Sequence, residues 1–250
     1  MTYHPLRCLL RLHRLAVVML TMGLLIGVAP GRSTAAQETD AATLLKQSAD
    51  TMAKLQSFHF ELTTPRGKTL FMENLELSGV EGDVLRPNSF RATATAKAAI
   101  ISLNVKVVGI GSRLWVTDPT AQQETYIEID LAEQGATLGS LTDLINPDRV
   151  LLEAVRLIDQ PVIVDEDDLD GVHTTLVEGT FDLGKVGLQG TPIPGLKTDD
   201  PLPVTIWIDD EGRVRRMELD GPLTDAEVSN VTRRLELSAF DEPVDITPPV

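Results

Sequence analysis

An α+β fold, a bent and mainly antiparallel β-sheet with two or three amphipathic helices, is the class this sequence predicts. Three observations point to it. The first is the stretch 203–221, PVTIWIDDEGRVRRMELDG. An apolar arm (Val204, Ile206, Trp207, Ile208) and a return arm (Val214 to Leu219) flank the acidic tip Asp209-Asp210-Glu211-Gly212. That is a β-hairpin pattern, with glycine supplying the positive φ of a type I turn plus bulge. The second is strand-like alternation with short turn signals from Ser57 to Leu131, which implies an antiparallel meander. The third is apolar residues at helical spacing in 37–56 and again in 140–159. On the return arm the alternation slips at Arg215-Arg216. A one-residue slip exchanges the faces of a strand, so a β-bulge and a bend are expected there.

Residues 1–36 stand apart as a secretory signal peptide. Arg7, Arg11 and Arg14 form a basic region, Leu15 to Val28 is uncharged and apolar or small, and Ser33-Thr34-Ala35-Ala36 offers small residues for a cut before Gln37. The alternative is an uncleaved N-terminal anchor, for which the run falls slightly short of the roughly 18–20 residues of a span. The sole cysteine, Cys8, precedes the apolar run, so the mature chain has neither a disulfide nor a lipid-acceptor cysteine. Without Arg7, Arg11, Arg14 and Arg32 the chain keeps 18 basic against 37 acidic residues, a net charge of −19. Such a surface repels nucleic acid and anionic membranes.

In the mature chain, taken as a single domain over 37–250, Asp40 is the expected N-cap of a first helix. Leu44, Leu45, Ser48, Met52 and Leu55 recur on one face of it. Strands follow: Phe58, Phe60 and Leu62 alternate with polar residues, a second arm covers 68–78, and 89–99 alternates small and polar residues. The stretch 100–111 is apolar on both faces, Trp115 sits in 113–117, and Ile127, Ile129 and Leu131 close the run. A further helix is expected in 140–159, with Ser140 and Asp143 as a capping box, Asn146-Pro147 opening its main part and Val150, Leu151, Ala154, Val155 and Ile158 as its buried stripe. Strand patterns resume in 162–165, 172–183, 204–219 and 231–240. The Gly/Pro-rich connection 184–203 is long enough to serve as a mouth or lid.

No catalytic chemistry is written in the chain. It contains no G-x-S-x-G, no H-E-x-x-H, no phosphate-cradling glycine loop and no spacing that selects a pair of carboxylates, so a non-enzymatic protein without cofactor or metal is expected. His59 and His173 fall in separate strands and are not expected to pair. The acidic run Asp165 to Gly171 mimics a calcium loop up to its twelfth position, Val177, where a bidentate glutamate is required; a solvated hairpin tip explains it better. Strands apolar on both faces need cover from helices, and an incomplete fit leaves a cavity suited to acyl chains. Composition alone describes a fully packed α+β domain equally well.

An ordered set of motifs goes further. It comprises S-F-H-F at 57–60, R-L-W-V at 113–116, N-P-D-x-x-L-L at 146–152 and D-G-V-H-T-T-x-x-x-G at 170–179. It continues with V-T-I-W-I-D-x-E-G-x-V-R-R-M-E-L at 204–219 and ends with A-F-D-E-P-V-D-I-T-P-P at 239–249. This order resembles the LppX/LprAFG family of exported bacterial lipoproteins. The resemblance implies a strongly curved half-barrel sheet wrapped around helices, similar to the LolA/LolB carriers. It further implies a hydrophobic cavity for multi-chain lipids or lipidated molecules that are moved across the cell envelope. The departure is the absent lipobox cysteine, which replaces a membrane-anchored carrier by a soluble shuttle or one held by its uncleaved signal.

On this reading the protein is exported to the periplasm, cell envelope or exterior. Its ligand is an acylated lipid or glycolipid, and its other partners are an envelope lipid transporter and, transiently, a membrane. The expected cavity residues are Phe58, Phe60, Leu103, Val105, Val107, Ile127, Ile129, Ile206, Ile208, Leu235 and Leu237 on strands, with Leu45, Met52, Leu151 and Val155 on helices. Two other classes stay open: a LolA-like chaperone that takes the acyl chains of lipoproteins, and a structural or signalling envelope domain with a filled core.

Overall fold

The computed structural model describes residues 34–72, 75–98, 101–118, 121, 123–131, 155–185, 187–188, 191–192, 200–227 and 229–249. Helix α1 spans Thr34–Met52. Strands β1 (Ser57–Arg66), β2 (Thr69–Met72), β3 (Leu75–Leu85), β4 (Ser89–Ala98), β5 (Ile101–Ile110), β6 (Arg113–Thr117) and β7 (Tyr126–Asp130) follow. The second half holds β8 (Ile158–Leu169), β9 (Val172–Phe181), β10 (Gly187–Leu188), β11 (Thr191–Pro192), β12 (Leu202–Asp209), β13 (Val214–Asp220) and β14 (Thr232–Ser238).

Twelve of these strands form one sheet in the order β7-β6-β5-β4-β3-β1-β14-β13-β12-β9-β8, with β2 paired to β3. Every pairing is antiparallel, and the two ends of the path, β7 and β8, do not pair with each other, so the curved sheet stays unclosed. Strand β1 is the seam: the meander β3 to β7 hangs from one side of it and the run back from β14 to β8 from the other.

Antiparallel pairing sorts the connections to two ends. At one end, called closed here, lie the turns 86–88, 111–112, 170–171 and 210–213 and the junction of α1 with β1. At the other, open end lie Gly67-Lys68, the last residues of β4, β6, β9 and β13 and the first residues of β5, β7, β12 and β14.

The hairpin β12–β13 forms as its sequence predicts. Gly212 has φ +79°, its N–H donates to the Asp209 carbonyl at 2.8 Å, and the register slips so that Arg215 is unpaired between the Trp207–Arg216 and Ile208–Val214 pairs. The Asp209 side chain is fully buried. It accepts from the Arg213 backbone N–H and Nε, both at 2.8 Å, and the Arg213 and Arg215 guanidinium groups stack on Phe240. At the end of α1, Arg86 Nη1 donates to the carbonyl of Met52, which also accepts from the Leu55 N–H at 3.3 Å, and to that of Leu55, and so fastens the helix end to the β3–β4 turn.

Four expectations change. Helix α1 begins at Thr34, so Asp40 lies inside it; the preceding Ala35-Ala36-Gln37-Glu38 are good helix formers and extend it upstream. The arm expected at 68–78 divides into β2 and a longer β3 that runs to Leu85, because the glycines of LELSGVEGDVL sit in close strand contacts and do not end the strand. The helix expected over 140–159 lies outside the described residues up to 154. Residues 155–156 are helical, and Ile158 opens β8, where it pairs with Phe181. The acidic run continues β8 through Leu169, and only Asp170-Gly171, at φ +55° and +84°, make the turn. The connection 184–203 also carries a two-stranded ladder, β10 with β11.

Aromatic rings close the inner layer near the closed end. A Cβ at Gly109 would stand 2.3 Å from the Phe90 ring, and one at Gly82 2.8 Å from the Ala92 Cα and 3.0 Å from the Phe60 ring. Glycine is therefore required under both rings. Gly109→Ala is expected to cost about 1–3 kcal/mol by overpacking, read from urea denaturation.

At the closed end His173 Nδ1 lies 2.9 Å from Asp210 and its Nε2 3.6 Å from Glu166, which ties the tips of β8–β9 and β12–β13 together. The hydrogen bond that His173 donates to Asp210, and the charge of that carboxylate, hold the His173 pKa above the ordinary histidine value of about 6.5. The tie is complete below that value and is lost as pH rises through the raised pKa. An NMR titration should find His173 titrating above 6.5 and moving down in Asp210→Asn.

Candidate functional site

The register assigns each side chain to one of two faces. Outward lie cross-strand ion pairs: Asp83 with His59 and Arg91, Arg216 with Glu236, and Arg234 with Glu218. Burial works to raise the Asp83 pKa, but hydrogen bonds from His59 and Arg91 outweigh it and hold the carboxyl below its ordinary value. The two histidines stay apart, as His59 is on this face and His173 at the closed end. Among the described residues no group of three His, Cys, Asp or Glu side chains is placed to hold a metal ion, and no helix is long and apolar enough to cross a membrane.

Inward lie four apolar rows that run across the strands. Nearest the closed end is Phe58-Val84-Phe90-Gly109-Leu114-Ile129. Next is Leu237-Phe60-Gly82-Ala92-Val107-Val116-Ile127. The third crosses nine strands, Ile163-Val177-Ile206-Met217-Leu235-Leu62-Val80-Ala94-Val105. Toward the open end the fourth reads Gly179-Val204-Leu219-Arg233 on one side of β1 and Leu77-Ala96-Leu103 on the other.

Packing along these rows is uneven. Helix α1 buries Ala41, Leu45, Ala49 and Met52 in a cluster with Phe58, Phe60, Val84, Phe90, Leu114, Val155, Val177, Val204, Ile206, Ile208 and Leu237. Val107, Ile129 and Leu235 are half-buried against that cluster. Leu62, Ala94, Ala96, Leu103, Val105 and Ile127 share the inner face but stand outside the cluster among the described residues. Ile127 and the rim residue Ile101 are 55% and 59% exposed. Among the described residues the inner face therefore has an aromatic floor at the closed end and an apolar trough over β3–β7 toward the open end. The alanines of β4 (Ala92, Ala94, Ala96, Ala98) widen the trough because they extend only a methyl group into it.

The eleven strand residues singled out from the sequence all lie on this inner face. Phe58, Phe60, Ile206, Ile208 and Leu237 are buried core, Leu103 and Val105 line the trough and Ile127 stands at its edge; Leu151 lies outside the described residues. The β4 alanines and Gly82 and Gly109 were not singled out, although S-F-R-A-T-A-T-A-K-A places alanine at every second position. Arg233 was missed too, yet it shares parity with Leu235 and Leu237.

Residues 40–246 match the LppX_LprAFG lipoprotein family. Lipoprotein LprA of Mycobacterium tuberculosis is 26% identical over 90% of this chain and 87% of its own length. The lipoarabinomannan carrier protein LprG of Mycolicibacterium hassiacum is 27% identical over 94% and 96%. Among solved structures, LprF from Mycobacterium bovis superposes with a TM-score of 0.57 at 23% identity, covering 84% of this chain and 97% of that one. LppX of M. tuberculosis gives 0.55 at 18% identity, covering 84% and 99%, so the fold is shared with both. An unclosed antiparallel sheet with an apolar inner face, and a family match over residues 40–246 of the chain, lead to one conclusion: the chain belongs to the LppX_LprAFG lipoprotein family.

Proposed function

We propose that this protein is an exported, non-enzymatic lipid carrier that shields acyl chains of a lipid or glycolipid in the trough over β3–β7. One observation carries the reading: among the described residues the adjoining inner-face side chains Ala94, Ala96, Leu103 and Val105 of β4 and β5, with Leu62 and Ile127 farther to either side, are left out of the packed core. Buried apolar surface gains about 25 cal/mol per Å², so an uncovered inner face favours whatever apolar partner can cover it. Each methylene taken from water contributes about 0.8 kcal/mol, which makes equilibrium burial of long chains sufficient for carriage without any covalent step. The name of the LprG relatives, lipoarabinomannan carrier protein, supports a glycolipid among the ligands.

Residues 1–36 act as a cleaved export signal, and no lipid-acceptor cysteine follows them, so the mature protein over 37–250 shuttles between a donor membrane and an envelope lipid transporter. Exchange takes place at the open end, where the rim residues are exposed.

Native mass spectrometry of the protein as exported, purified without detergent, should detect a discrete added mass that solvent extraction recovers as lipid. A clean apo mass with no uptake of offered lipids would sink the carrier reading in favour of a filled structural domain. Val105→Trp, in the trough, should lower lipid occupancy at least tenfold and change stability by less than about 1 kcal/mol. Phe58→Ala, in the floor, should cost about 3–5 kcal/mol in denaturation.

A further inference from the structure

We propose that Phe60 and Phe90 are the end stop of the trough, so that the protein measures the acyl chains it carries and encloses them in full only up to about 16 carbons. This rests on the carrier reading and names the chain-length class that the trough accepts.

The stop shows as a step in burial that crosses four strands of the inner face at nearly one level. On β4 Phe90 is 5% exposed, whereas Ala92, Ala94, Ala96 and Ala98 beyond it are all half-buried. On β5 Gly109 is buried, Val107, Val105 and Leu103 are half-buried, and Ile101 stands in water. On β6 Leu114 is buried and Val116 half-buried. On β3 the step comes one row later, with Val84 and Gly82 buried and Val80 and Leu77 half-buried.

Two rings make this step. Phe90 lays its ring on the Gly109 backbone of β5, and Phe60 reaches from β1 over Gly82 of β3, which is why the step is displaced on that strand. Both belong to the buried cluster that holds Leu45, Ala49 and Met52 of α1. A packed interior has few voids larger than a water molecule, so a chain entering from the open end ends against these rings. Between the rings and the rim, β4 presents only methyl groups on this face, and nothing on that strand interrupts the path.

The distance from stop to rim sets the length. Ala92 to Ala98, which pairs with Ile101 at the last rung of the β4–β5 ladder, is six residue steps. At about 3.4 Å per residue that is about 20 Å. An extended hydrocarbon, with bonds of about 1.52 Å at an angle of about 111°, rises about 1.25 Å per carbon, so about 16 carbons fill the trough. A methylene that passes from a membrane into the trough exchanges one apolar surrounding for another and costs little. A methylene beyond the rim is left in water at about 0.8 kcal/mol, which is about fourfold in occupancy.

The test offers the protein as exported to phosphatidylcholine vesicles that carry equimolar even-chain monoacylglycerols from decanoyl to tetracosanoyl, and native mass spectrometry reads which are taken. Wild-type occupancy should be level up to palmitoyl and then fall about fourfold with each further carbon. Ala92→Leu raises the stop by one row and should move the break about five carbons shorter. Phe90→Ala lowers it by one row and should move the break about five carbons longer; because it also removes core, Ala92→Leu carries the test if Phe90→Ala fails to fold. Level occupancy through tetracosanoyl, a wild-type break more than about four carbons from palmitoyl, or a break that stays in place in either folded variant would each overturn the stop while the carrier reading stands. Uptake of no chain length overturns both.

Discussion

A sheet this broad has more inner face than the described helix can cover. Eleven strands abreast at about 4.8 Å spacing extend about 50 Å, whereas α1, 19 residues long, makes a rod about 28 Å by 10 Å. The helix buries what lies beneath it, from Phe58 and Phe60 to Ile206 and Ile208, and the meander β3–β7 projects past that cover. The sheet cannot solve the mismatch by closing on itself, because β7 and β8 do not pair. Among the described residues, an apolar trough is the geometric remainder.

Side-chain size then sets where the remainder is deep. Near the closed end Phe60 and Phe90 lie over glycine backbone and fill the space between sheet and helix. Toward the open end β4 offers only methyl groups, and its neighbours Leu103 and Val105 stand outside the core cluster of the described residues. The outer face has no such ambiguity. Its ion pairs, Arg91–Asp83 and Arg234–Glu218 among them, hold that face in water and so hold the rows opposite them inward. Glu227 and Arg233 interrupt the pattern by burying a charged pair on the apolar side, a costly arrangement that a domain built only for stability would replace with packed hydrophobes.

Much of this was legible in the sequence because strand alternation has a period of two. Phe58 and Phe60, Leu103 to Val107, Ile127 and Ile129, and Leu235 and Leu237 share a face within each strand, and the slip at Arg215 announced the bulge that register places there. Alternation does not say which face is inward, and β5 is apolar on both, so register across the sheet was needed to join the rows. Space was harder to read than contact: the alanines of β4 looked neutral where their smallness is the feature. Arg233 was hidden beside Arg234, two like residues of which one faces in and the other out. Helix limits were the weakest point. Asp40 has the chemistry of a cap but follows residues that already favour helix, and Ile158 fits a helical stripe yet pairs in β8.

The central claim is that acyl chains occupy the trough and not some other apolar surface. Photocrosslinking with an acylglycerol bearing a diazirine near the middle of one chain, followed by peptide mapping, tests it residue by residue. Labels should concentrate on 75–80, 92–98 and 101–107, with Leu103 and Val105 prominent. Labels on the outer face, at His59, Glu61, Arg216, Glu218, Arg234 or Glu236, or no saturable labelling at all, would contradict the account.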